Sequence, residues 1–216
     1  MALNLHTTQK TIARKLRFLG AECARLNAIH NQSQAPANEI QFDEMETFEH
    51  TKCKPVSIAL AVEDGARRIL GVQVSQMPAK GLLAHVSREK YGHRKDERNQ
   101  GLRDLFQQVL PLCANELHIL SDQCPRYMPI VRKVFQKTPE FKVDYEQTKG
   151  ARGSSTGQGE LKRLHHDPLF SLNHTCAMFR ASVNRLFRKT WNTTKKTECL
   201  LDHLNIYAYF HNTRLI

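Results

Sequence analysis

Three absences narrow the reading of this 216-residue chain. No run approaches the ~18 uninterrupted apolar residues that a membrane-spanning helix needs, so no membrane partner is expected. The opening residues, MALNLHTTQKT, contain no apolar stretch of the kind a secretory signal carries. The six cysteines, Cys23, Cys53, Cys113, Cys124, Cys176 and Cys199, form no Cys-x-x-Cys pair. That argues against a zinc ribbon within these residues. The expectation is a cytoplasmic protein whose thiols stay free in a reducing compartment. No internal repeat is present.

Positive charge is what the chain has in surplus. Lys and Arg number 32 against 21 Asp and Glu, a formal net charge of +11. A surplus of this size favours an anionic partner, most commonly nucleic acid. A generic basic protein shares the same composition, so charge alone does not decide.

The hydrophobic pattern supplies an order of elements. Thr7 to about His30 reads as a capped helix with an apolar stripe at Ile12, Leu16, Leu19 and Leu26. Lys10 and Arg14 sit on its early turns, where a helix-turn-helix would place phosphate contacts, although an ordinary amphipathic helix looks the same. A polar, proline-containing stretch, QSQAPAN, follows. Three strands come next, at Glu39–Phe48, Pro55–Glu63 and Arg67–Met77, the last two joined through the hairpin signal Asp64-Gly65. Residues 79 to 99 are polar and basic. A helix at 101–114, a strand at 117–122, a helix at 125–136 and a strand at 140–147 then alternate. A Gly/Ser-rich loop leads to two closing helices, at about 173–189 and 195–212. This order predicts a mixed α/β sheet of RNase H-like type, with the first and fourth strands side by side. The order divides the chain into a helix at 1–31, a linker at 32–38 and a sheet-bearing domain at 39–216.

Two aspartates carry the chemistry. Asp43 lies inside a strand, where a charged residue is unfavourable unless exposed or functional. Asp122 ends the strand LHILSD, and ligands gather at the carboxyl ends of strands in such sheets. Two carboxylates at the ends of neighbouring strands suit hard divalent cations such as Mg²⁺ or Mn²⁺. Asp122 also stands three residues before Pro125, where it can serve as a turn or helix cap instead. His165 and His166 read as polar loop residues and Trp191 as packing.

The strings FDEMETFEHTKCKPVSIALAVEDGARRILGVQVSQMPAKG, ILSDQCPRY, and FRASVNRLFRKTW with LLDHLNIYAYFHN resemble three ordered motifs of DDE-type bacterial insertion-sequence transposases. The resemblance runs from about Glu39 to the end. It implies an RNase H-like catalytic domain that uses two divalent ions to cleave transposon ends and join them to target DNA. It also implies action as a homo-oligomer on double-stranded DNA, and an upstream zinc-ribbon and helix-turn-helix region of which only the last helix is present here. In that family a third acidic residue precedes a basic helix residue by seven positions. Arg180 matches the basic residue, but Asn173 stands where the acid is expected. By resemblance to transposase subgroups with an Asp-Asp-Asn pattern, Asn173 is expected as the third catalytic and metal-binding residue, offering an oxygen without charge. Asp167 or Glu160 are the substitutes, and an inactive, transposase-derived DNA-binding protein is the alternative. Arg180, Arg185, Arg188 and Lys189 are then expected to contact phosphates.

Overall fold

The computed structural model describes residues 6–135, 140–149, 167–187, 194 and 196–216. Glu160, His165, His166, Arg188, Lys189 and Trp191 lie outside the described residues. Helix α1 (Gln9–Gln32) precedes three strands, β1 (Ala37–Phe48), β2 (Pro55–Glu63) and β3 (Ile69–Gln76). Helices α2 (Leu83–Tyr91) and α3 (Arg98–Val109), strand β4 (Cys113–Asp122), helix α4 (Tyr127–Phe135) and strand β5 (Lys142–Thr148) follow. Helices α5 (Phe170–Ser182) and α6 (Thr197–Phe210) close the chain.

The sheet has the order β3-β2-β1-β4-β5. β1 pairs with β2, and β2 with β3, antiparallel; β1 pairs with β4, and β4 with β5, parallel. The first and fourth strands are neighbours, as the RNase H-like order of elements requires. Asp64 and Gly65 make the β2–β3 turn, where Gly65 takes φ +70°, a conformation that costs glycine little. β4 begins at Cys113, four residues before its apolar run, because pairing to Ala37 continues the ladder there.

Helices cover both faces of the sheet, which explains why β2 is buried along most of its length. On one face Phe42 packs edge-on against Phe106 of α3 with ring centroids 4.9 Å apart, beside Ile119 and Tyr127. On the other, Ile58 and Leu60 meet Leu172 and Phe179 of α5 and Leu204 of α6. α5 is shorter than its apolar pattern implies. Val183 adopts an extended backbone (φ −100°, ψ 104°) and a single 3₁₀ turn, Asn184–Leu186, takes over. Among the described residues no helix is long and apolar enough to cross a membrane.

Helix α1 starts at the Thr8 cap, whose hydroxyl accepts the Thr11 amide N–H at 3.2 Å. Its packing surface is polar and small-residue in character. Leu19 is exposed, whereas Gly20, Asn27 and Asn31 are buried. A methyl group on Gly20 would lie 2.7 Å from the Asp202 Cα of α6, so only glycine permits this approach. Asn212, just past α6, fastens the far end. Its amide donates to Asn27 Oδ1 and to the Ile69 carbonyl, and its Oδ1 accepts the Ile69 N–H, each at 2.8 Å.

Removing that amide leaves the buried Ile69 N–H without its side-chain partner, while the Ile69 carbonyl keeps the Asn31 amide at 3.0 Å. Asn212→Ala is therefore expected to lower stability by about 2–4 kcal/mol. Urea unfolding measures it, and a loss below about 1 kcal/mol would show that water replaces the amide.

Candidate metal centre

The β1–β4 register builds the site. Phe42 pairs with Ser121, so the next residues along the two parallel strands, Asp43 and Asp122, stand opposite one another. Side chains alternate across a sheet. Phe42 packs into the α3 and α4 face, and Ser121 hydrogen-bonds there to Tyr145 at 2.7 Å. Both aspartates consequently point to the face covered by α5. Adjacent strands lie ~4.8 Å apart, so the two carboxylates share one location.

Each aspartate uses one oxygen for local structure. Asp43 Oδ1 accepts the Glu44 amide N–H at 2.6 Å and the Tyr127 hydroxyl at 2.9 Å. Asp122 Oδ1 accepts the Cys124 amide N–H at 3.0 Å. The turn-capping role considered for Asp122 is thus present, and it occupies only Oδ1. Among the described residues, neither Oδ2 accepts a hydrogen bond, and no Lys, Arg or His forms an ion pair with Asp43 or Asp122. Burial pushes Asp43 up to about 6, with the Asp122 charge adding to the effect and the Glu44 N–H and Tyr127 hydroxyl opposing it. Two close carboxylates without a cation are the arrangement a divalent ion would relieve.

Glu44, Arg126 and Tyr127 complete the surroundings, and none of the three was singled out as a site residue from the sequence. Glu44 points to the opposite face from Asp43 and is 6% exposed. It forms a close ion pair with Arg126 and accepts the Ser57 hydroxyl at 2.8 Å. Tyr127 lies in the core, as its place on an apolar helix implies, yet its hydroxyl reaches both Asp43 and Glu44, the latter at 3.3 Å. β4 ends at Asp122 while β1 runs on to Phe48, so the two faces communicate past the end of β4. Arg126 answers the Glu44 charge and leaves that of Asp43 uncompensated.

The third position has a hydrogen-bond partner of its own. Asn173 lies in the first turns of α5, is exposed, and donates to Asp167 Oδ2 at 3.0 Å. One turn further, Cys176 is buried close to Asp43; burial and then the Asp43 charge raise its thiol to about 12, against the pull of Arg180. Asn173, Cys176 and Arg180 follow helical spacing, so one stripe of α5 runs past the Asp43 side of the sheet. Gln41 fixes the start of that helix, accepting the Leu172 amide N–H at 3.0 Å and donating to the Pro168 carbonyl at 2.9 Å. Among the described residues no three His, Cys, Asp or Glu side chains form a metal-holding group. The acidic groups that the register brings together are two carboxylates, whose oxygens suit a hard divalent ion, and a neutral amide stands within one helical turn of Cys176.

The expected phosphate-contacting residues divide between two places. Arg180 is half-buried on α5 near Cys176. Arg185 shares the wall of a groove of about 600 Å³ with Lys15 of α1 and Lys196. Lys10 and Arg14 are exposed on the same end of α1.

No protein-family model and no curated protein sequence matches the chain. Among solved structures, the catalytic core domain of BIV integrase aligns with a TM-score of 0.35 and 16% identity, covering 82% of this chain and 85% of that one. The Mos1 strand transfer complex aligns at 0.33 and 11%, covering 96% and 70%. The catalytic domain of Mos1 mariner transposase gives 0.28 and 11%, covering 91% and 90%. The fold itself rests on the strand order and register described above.

The Asp43 environment has a measurable signature. An unfolded aspartate titrates near ~3.9, and folding raises Asp43 to about 6. The folded state therefore binds this proton more tightly, and the associated stability is present below pH ~4 and lost as pH rises through 6. In EDTA, Asp43→Asn is expected to stabilise the protein at pH 7 by on the order of 2–3 kcal/mol and to change it little at pH 4. Thermal unfolding at the two pH values checks this. A destabilised variant at pH 7 would mean that the carboxylate is already compensated.

Proposed function

We propose that the chain is a metal-dependent DNA phosphoryl-transfer enzyme of transposase type, cleaving DNA and transferring strands at a centre formed by Asp43 and Asp122. The observation that carries this reading is the facing pair of carboxylates, each with a free Oδ2 and no cationic partner among the described residues. Divalent Mg²⁺ or Mn²⁺, two ions in the full reading, would supply activation of the attacking oxygen and stabilisation of the leaving one.

The chain's own groups hold the acids in place. The Tyr127 hydroxyl and the Glu44 N–H fix Asp43, and the Cys124 N–H fixes Asp122. Asn173 serves as a neutral third ligand once it leaves Asp167, with Asp167 or Glu160 as the carboxylate that would replace it. Arg180, Arg185, Lys10 and Arg14 supply phosphate contacts on duplex DNA, with Arg188 and Lys189 assigned the same role from sequence. The insertion-sequence origin, the DDE ancestry and action as a homo-oligomer belong to this proposal and rest on the motif resemblance.

A second reading has its own observation. The uncharged Asn173, hydrogen-bonded to Asp167, favours a transposase-derived protein that binds DNA without cutting it.

Nicking and strand transfer on duplex DNA with Mg²⁺ or Mn²⁺ separate the two. The enzyme reading expects Asp43→Ala and Asp122→Ala each to lose more than the ~10–100-fold that an outer hydrogen-bond partner costs a metal site. Asn173→Ala should lose less than either. Equal nicking by wild type and Asp122→Ala would dismiss the metal centre, and binding without nicking by wild type would favour the second reading.

A further inference from the structure

The connection between β3 and α3 belongs neither to the core nor to the carboxylate centre. Between Lys80 and Lys95 it carries Lys80, Arg88, Lys90, Arg94 and Lys95 against a single acid, Glu89. Helix α2 within it buries only Ser87, whose hydroxyl donates to the Cys53 carbonyl at 2.6 Å. The other anchors are also polar. Arg94 bonds Glu49 at 3.2 Å and the Met77 and Pro55 carbonyls at 3.3 Å, and Lys54 sits 4.6 Å over the Tyr91 ring. The segment is thereby fixed beyond the carboxyl end of β1, with its outer side facing solvent.

That outer side combines two features. Arg88, Lys90, Lys95 and nearby Lys52 are exposed, and none forms an ion pair among the described residues. Leu82 is 96% exposed at the tip, directly after Gly81 turns the chain with φ +57°. An unpaired cationic ridge complements a polyanion, and an apolar side chain projecting beside it suits a groove or a base step.

We propose that α2 and its flanks form a second DNA-holding surface, with Arg88, Lys90 and Lys95 on phosphates and Leu82 in a groove. This rests on the DNA-transfer reading, because the ridge stands at the same end of the sheet as Asp43 and Asp122. Five residue steps along β1 lead from Asp43 to Phe48, ~17 Å of strand, or about five base-pair rises of duplex at 3.4 Å each. A duplex with its scissile phosphate at the carboxylates would therefore pass over α2 within half a helical turn.

The test is equilibrium binding of a 30-base-pair duplex to the full chain in EDTA as salt is varied. Wild type is compared with the triple variant Arg88→Gln, Lys90→Gln, Lys95→Gln, with Leu82→Ser and with Lys142→Gln, an exposed cation at the opposite end of the sheet. All the altered ridge residues are exposed, and circular dichroism confirms the fold of each variant. The triple variant is expected to show a salt slope shallower by about 2–3, close to 0.9 for each lost phosphate contact, and at least ~10-fold weaker binding. Leu82→Ser is expected to weaken binding several-fold with the slope unchanged. Lys142→Gln is expected to keep the wild-type slope. A triple variant with the wild-type slope overturns the proposal, as does tighter wild-type binding to single-stranded RNA of equal length than to the duplex. Unchanged affinity in Leu82→Ser removes the groove contact. Because no metal is present, loss of the slope difference is distinguishable from failure of the nicking assay, which concerns Asp43 and Asp122 alone.

Discussion

The parallel pairing of β1 with β4 is the constraint on which the rest of the site depends. One hydrogen-bond register, Phe42 opposite Ser121, sets both which residues meet and which face they point to. A slip of one residue would send Asp122 to the opposite face, into the α3 and α4 core. Burial resists that slip, because Phe42 and Ile119 fill one core while Leu60 and Leu172 fill the other. The hydrophobic effect, acting on residues with no chemistry of their own, thus fixes the relation between the two acids.

Holding those acids together has an electrostatic cost, which the surroundings meet unevenly. Glu44 receives an arginine, whereas Asp43 receives only neutral donors among the described residues and burial pushes it up to about 6. The adjacent residues Asp43 and Glu44 thus have opposite solutions to the same problem of a buried charge. One solution is complete in the protein alone. The other leaves, among the described residues, two carboxylate oxygens without donors and a deficit of positive charge, which the proposed cation would supply.

Much of the fold is legible in the sequence, because β2 and β3 show clear strand composition and an Asp-Gly turn. The placement of the two aspartates on neighbouring strands is legible as well, because the order of elements sets the first and fourth strands side by side. Other features depend on contacts that spacing does not reveal. Glu44 gains its meaning from Arg126, 82 positions away. Helix α2 escapes notice because its anchors are a serine and backbone carbonyls, so it has no apolar stripe. The length of α5 is over-read because Val183 and Leu186 keep helical spacing while the backbone at Val183 turns extended. Asn173 is correctly placed on a helix, but sequence spacing does not show its engagement with Asp167.

Diffraction from a crystal grown with Mn²⁺, using anomalous scattering to locate the metal, tests the central claim most directly. The account predicts a peak coordinated by Oδ2 of Asp43 and Oδ2 of Asp122, with the β1–β4 register unchanged. Ordered aspartates with no peak between them at saturating Mn²⁺ would contradict it.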